Sequence, residues 1–98
     1  MLLFSYGTLR DRDVQLANFG RELAGRPDVL PGYILRMGAE YANAIPTGNP
    51  EDAVPGVVLK LTEKEMAAAD AYEEDADYRR IMVTLRSGIE AWVYIRPA

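Results

Sequence analysis

One firmly signalled helix stands between β-type runs in the second half of the chain. It constrains the fold more than any other feature. Thr62-Glu63-Lys64-Glu65 has the form of a capping box, with Thr62 as N-cap and Glu65 three residues on. Leu61 and Met66 occupy the staple positions on either side of that cap. The spacing predicts a helix from about Glu63 to Glu73. The apolar run Val54 to Leu61 before it reads as a strand, with Pro55-Gly56 near its start. After it, Ile81, Val83 and Leu85 alternate with Arg80, Met82, Thr84 and Arg86, as in a half-buried strand over Tyr78 to Leu85. Ala91 to Arg96 is a further strand. The short link Arg86-Ser87-Gly88-Ile89-Glu90 makes these last two strands antiparallel, while the helical crossover permits some parallel pairing.

The first half reads less regularly. Leu2-Leu3-Phe4-Ser5 is an apolar run that makes residues 2–6 a strand. Asp11 is placed to cap a short helix through Val14, Leu16 and Ala17 that ends near Gly20. Arg21 to Arg26 and Val29 to Met37 read as two strands broken by Pro27-Asp28. Pro31-Gly32 marks the second as bulged or at a sheet edge, where it could pair with a second chain. Residues 38–53 carry Gly38, Pro46, Gly48, Asn49 and Pro50 and read as loop, with a short extended piece at Ala44-Ile45. Strands interleaved with two short helices make an α+β class, best arranged as a small mixed-sheet β-barrel that manages its own edges.

Composition narrows the chemistry. The 98 residues suit a single domain over 1–98, and a hydrophobic fraction of 49% supplies a core. With no cysteine, disulfide and thiolate chemistry are excluded. With no histidine, the usual general base and the usual metal ligand are both missing, so proton transfer falls to Asp, Glu, Tyr or Lys. A net charge of −4 with no basic run argues against a nucleic-acid partner. No apolar run reaches membrane-spanning length, and Met1 leading straight into a strand gives the expectation of no signal peptide. The expectation is a cytoplasmic protein, monomeric or homodimeric, with no membrane partner.

Acids crowd the end of the predicted helix. Glu73, Glu74 and Asp75 sit where the helix dipole disfavours negative charge, and a local rule broken without local gain often marks function. At about 100° per residue, Met66, Ala69, Asp70 and Glu73 share a face. Met66 turns that face inward, so Glu73 ends an apolar stripe with Asp70 one turn behind. A partly desolvated carboxyl beside another acid has a raised pKa and suits proton transfer. The alternative is a solvated helix end with Glu73 rotated outward. The cluster lacks the alternation and central glycine of a calcium loop. Tyr6, Tyr72, Tyr78, Trp92 and Tyr94 fall near the predicted strand ends and the helix.

The remaining signal is Tyr6-Gly7-Thr8-Leu9, where the first strand gives way to Arg10-Asp11-Arg12-Asp13. A glycine at such a strand end lets the backbone turn and lets a ligand approach free N–H groups. An ordinary strand-to-helix connection has the same appearance.

Five segments in this order resemble the γ-glutamylcyclotransferase-like (AIG2-like) family over nearly the whole chain. They are Tyr6-Gly7-Thr8-Leu9, Val54-Pro55-Gly56-Val57-Val58, Ala69-Asp70-Ala71-Tyr72-Glu73, Tyr78-Arg79-Arg80 leading to Val83, and Ala91-Trp92-Val93-Tyr94. The resemblance implies a small mixed barrel with a cavity at one end. It also implies an enzyme that needs no cofactor and no metal, and that cyclises a small γ-glutamyl compound to 5-oxoproline with release of an amine or amino acid. By match, Glu73 is the catalytic acid/base, and Tyr6, Gly7, Thr8, Leu9, Tyr78 and Tyr94 are substrate-binding. Glu74 stands where the family usually has glycine, so Glu74 is the alternative carboxylate. A non-catalytic small-ligand binding module on the same scaffold is the alternative function.

Overall fold

The computed structural model describes residues 1–38 and 41–97. Seven strands and two α-helices follow in the order β1 (Leu2–Ser5), a single 3-10 turn (Thr8–Arg10), α1 (Arg12–Phe19), β2 (Arg26–Pro31), β3 (Tyr33–Met37), β4 (Ala42–Pro46), β5 (Ala53–Lys60), α2 (Glu63–Glu74), β6 (Arg79–Thr84) and β7 (Glu90–Ile95). Five strands form one mixed sheet in the order β2-β5-β1-β7-β6, and β3 pairs with β4 as a hairpin. The fold is α+β, as the helix-between-strands pattern requires. No helix among the described residues is long and apolar enough to cross a membrane.

The first strand made is the central one. β1 is antiparallel to β5, with Phe4 opposite Val58, and parallel to β7, with Phe4 opposite Val93. β6 therefore runs in the same direction as β5, two strands away, and α2 covers the intervening strands. Burial on both faces explains why β1 is apolar from Leu2 to Phe4. Successive side chains point to opposite faces, so Leu3 joins one core cluster with Leu59, Met66, Ala69 and Tyr94, while Phe4 joins the other with Val58, Leu30 and Val93. The ladder's two end strands also meet. The Arg86 amide donates to the Val29 carbonyl at 2.9 Å, and the Ser87 amide and hydroxyl both donate to the Asp28 carboxylate. This seam joins β2 to the turn after β6 and curls the sheet toward a barrel.

Several boundaries differ from the sequence reading, each for a local reason. Residues 21–25 form no strand. Pro27-Asp28 does not break β2. Pro27 pairs opposite Val57 in an end strand of the ladder, where a missing N–H is tolerated. The real break is Gly32, at φ +81, which turns the chain from β2 into β3. Residues 42–46, read mostly as loop, form β4.

α2 bears out the capping box in both directions. The Glu65 amide donates to Thr62 Oγ1 at 3.1 Å and the Thr62 amide donates to Glu65 Oε1 at 3.0 Å. The Arg21 guanidinium grips the same carboxylate with bonds of 2.7 and 2.8 Å. The Arg21 hydrogen bonds, then the Thr62 amide, pull the Glu65 carboxyl down to about 2. A folded value below the unfolded one, near 4.5, gives stability that is present above pH 4.5 and lost as pH falls toward 2. Thermal melts between pH 5 and 2 are expected to fall more steeply in the parent than in Glu65→Gln. Parallel curves would show that this pairing contributes nothing.

Candidate functional site

A cavity of about 400 Å³ opens at one end of the sheet. Each wall comes from a different element. The end of β1 and the turn after it supply Phe4 to Thr8, and the last turn of α2 supplies Tyr72, Glu73, Asp75 and Ala76. Tyr78 follows, the start of β4 brings Ala42 with Tyr41 just before it, and β7 contributes Tyr94. The helix phase accounts for Glu73. Met66 and Ala69 are fully buried on one stripe of α2, and Glu73 closes that stripe at the cavity. Glu74 is exposed and faces a separate depression with Asp77, Arg79 and Arg96.

Burial alone pushes the Glu73 carboxyl up to about 7. Asp70 adds nothing to that shift, contrary to the sequence expectation. Asp70 is instead paired, at 3.1 Å, with Arg80 Nε. The helix ends just beyond Glu73. The amides of Ala76 and Tyr78 both donate to the Glu73 carbonyl, at 3.0 and 3.1 Å. Asp77 adopts φ +63, a left-handed conformation that turns the chain back so that Tyr78 reaches the cavity wall.

The three tyrosines expected to contact substrate line the cavity, but their hydroxyl protons are already used within the protein. Tyr6 Oη donates to the Tyr94 carbonyl at 2.7 Å and accepts from the Ala44 amide at 3.2 Å. Tyr94 Oη donates to Asp70 Oδ1 at 2.7 Å. Tyr78 Oη donates to the Ala42 carbonyl. Burial raises all three phenols above their ordinary value, with the charge of Glu73 adding to each. These side chains brace the walls and present ring faces and edges to a ligand.

Gly7 and Thr8 also line the cavity. Gly7 sits at φ −119, so its backbone does not demand glycine there. A Cβ on Gly7 would meet nothing within 4 Å. The glycine leaves space beside the chain and is not needed to make the turn, which corrects the sequence argument. Thr8 Oγ1 and Tyr72 Oη lie 2.7 Å apart at the cavity. Thr8 and Leu9 open the 3-10 turn, so their amides have no acceptor within it. Leu9 does not line the cavity. A 3-10 turn rotates the chain by a third of a circle per residue, which sends the Leu9 side chain into the core at 1% exposure. Its carbonyl accepts from Gln15 Nε2 at 2.9 Å, so Leu9 anchors the loop from beneath.

Sequence reasoning missed Tyr72, Tyr41 and Asp75 as cavity residues. Tyr72 was visible beside Glu73 in the aromatic set. Tyr41 was not, because it stands just before β4 in a segment read mostly as loop. Among the described residues, no three His, Cys, Asp or Glu side chains converge as a metal cage.

The family model for "Gamma-glutamyl cyclotransferase, AIG2-like" matches residues 3–98. Several solved structures are similar. A solution structure from Arabidopsis thaliana has 24% identity and a TM-score of 0.80, covering 97% of this chain and 67% of its own. A structure named γ-glutamyl cyclotransferase has 19% identity and a TM-score of 0.77, covering 99% of this chain and 66% of its own. The ytfP protein of Escherichia coli has 27% identity and a TM-score of 0.68, covering 100% of this chain and 84% of its own. The chain thus spans about two thirds of the length of several matched structures. No match was found among curated proteins.

Proposed function

The chain belongs to the γ-glutamyl cyclotransferase, AIG2-like family, and on that premise we propose that it cyclises a γ-glutamyl-amine or γ-glutamyl-amino acid to 5-oxoproline. One observation carries the reading. Glu73 lines the same cavity as Gly7 and Thr8, and burial holds its carboxyl near 7. A group of that acidity can both take and return a proton at neutral pH.

The substrate's α-ammonium must lose a proton before its nitrogen can attack. The Glu73 carboxylate takes that proton. The freed amine adds to the γ-carbonyl carbon of the same molecule, forming the ring C–N bond and an oxyanion. Collapse breaks the bond to the leaving nitrogen, and Glu73 returns its proton there. After attack the ring nitrogen still carries two protons; it gives one to the freed Glu73 carboxylate, which passes it to the departing amine, so the products are 5-oxoproline and an ammonium. The reaction is intramolecular, so holding a folded conformer supplies much of the rate. A cavity walled by braced rings suits that task. The amides at the start of the Thr8 turn are donors for the α-carboxylate or the developing oxyanion.

The test is to incubate folded protein with γ-glutamyl dipeptides, γ-glutamyl-lysine and glutathione and to measure 5-oxoproline by chromatography. Release from at least one is the expected result. Binding without release from any of them would make this a ligand-binding module instead.

A further inference from the structure

Arg80, the third residue of Tyr78-Arg79-Arg80, has no part in the chemistry above, yet it stands at the centre of a connected set of bonds. Its Nε lies 3.1 Å from Asp70 Oδ1, and its guanidinium stacks 4.5 Å over the Trp92 ring. Its Nη1 is buried without an acceptor among the described residues. The same Asp70 oxygen accepts from Tyr94 Oη at 2.7 Å. Tyr94 passes the link on through its carbonyl to Tyr6 Oη, and Tyr6 passes it to the Ala44 amide. One chain of contacts therefore ties β6, α2, β7, the end of β1 and β4 together around the cavity.

Asp70 and Glu73 are three residues apart on α2 and share its inward face, a spacing at which two side chains are neighbours. An unpaired carboxylate at Asp70 would face Glu73 as a like charge. We propose that Arg80 is a positioning residue that screens Glu73 from Asp70 and clamps the last turn of α2 against β6 and β7. Trp92 is part of the device. Stacking fixes the plane of the guanidinium so that Nε points at Asp70, which a lysine at the same position would do less well.

The inference rests on Glu73 being the proton-transfer group, but its test does not need turnover. The other groups around Glu73 are Tyr6, Tyr78 and Tyr94, which stay neutral through the range of interest, and Asp75 on the cavity wall. Arg96 lies against the Tyr78 ring, 5.9 Å from its centroid. These are common to every variant below.

The experiment is a carbon-13 titration of the Glu73 side-chain carboxyl by NMR, alongside the pH profile of 5-oxoproline release. Removing the cation in Arg80→Met is expected to raise the Glu73 midpoint by about half to one pH unit. Arg80→Lys should restore most of the parental value. Asp70→Asn, which leaves the cation unpaired, should lower the midpoint below the parental one. The double variant Asp70→Asn/Arg80→Met should return it to near the parental value. A midpoint that ignores Asp70→Asn, or a double variant displaced as far as Arg80→Met, would overturn the proposal. Should Arg80→Met not fold, the Asp70→Asn shift and the double variant still decide. A protein that shows these shifts but releases no 5-oxoproline would retain the Arg80 role and lose the cyclotransferase reading.

Discussion

Glu73→Gln is expected to lower kcat for 5-oxoproline release by about 10²–10⁴-fold while raising thermal stability at alkaline pH. Both effects come from the same desolvation. Glutamine fills the same volume at the cavity wall but cannot accept the α-ammonium proton or return one to the leaving nitrogen. The stability effect has a definite sign. The folded value near 7 lies above the ordinary 4.5, so the folded state holds its proton to higher pH than the unfolded chain does. Stability therefore falls as pH rises from 4.5 through 7 and stays low above that. A shift of this size corresponds to at most about 3 kcal/mol, and partial solvent access reduces it to about 1–2 kcal/mol. Glutamine, neutral throughout, recovers that amount at pH 8 and gains nothing at pH 4. Melts at the two pH values, with turnover measured on the same samples, check both parts. In the parent, kcat/KM should rise through a limb near pH 7. Full turnover in Glu73→Gln would remove Glu73 from the mechanism and direct attention to Glu74.

Gly56→Ala is the second large effect, and it acts on the fold before the site. Gly56 pairs with Asp28 in β5, beside the point where β1 ends. A Cβ there would collide with the Ser5 carbonyl and come within 2.7 Å of the Phe4 ring. Neither neighbour can retreat. Ser5 is held in its pairing with Val57, and Phe4 is 1% exposed in the core. Forced overpacking of this kind costs about 3 kcal/mol, or roughly 12–24 °C in Tm for a domain of this size. Gly7→Ala is the control, since its Cβ meets nothing and its backbone is ordinary. A denaturant midpoint for Gly56→Ala close to that of Gly7→Ala would show that β1 can shift sideways at no cost.

The parts of the fold legible in the sequence were those set by local chemistry. The capping box, the inward phase of α2 and the alternation in β6 each rest on neighbours a few residues apart. Glu73 followed from that phase. β4 was legible only as the short extended piece Ala44-Ile45, because most of its strand character is not local. Asn43 reads as a loop residue, but its side chain bonds both the amide and the carbonyl of Arg96, each at 2.9 Å, as a neighbouring strand would. Pro27 and Asp28 read as a breaker because the sequence does not announce an end strand, or that Ser87 would reach the Asp28 carboxylate. The site was half legible for the same reason. Tyr6, Gly7, Thr8, Glu73, Tyr78 and Tyr94 do line the cavity, whereas Tyr41 depends on the hairpin and Leu9 turns away on a rotation that only the 3-10 geometry fixes. That the tyrosine hydroxyls are spent within the protein is a tertiary fact, with partners as distant as Tyr6 and Tyr94.

The position of β1 between β5 and β7 also shapes how the chain is made. During synthesis Phe4 emerges early, but Val58 comes much later and Val93 later still. Until β5 is made the strand has no partner at all, and until β7 is made one of its two edges stays unpaired. Such non-local closure belongs to slowly folding topologies, whose early strands are exposed to other chains in the meantime. The cavity loop that follows β1 takes shape only when the last strand docks. A nascent chain of this protein therefore holds its candidate site unformed until β7 has been made.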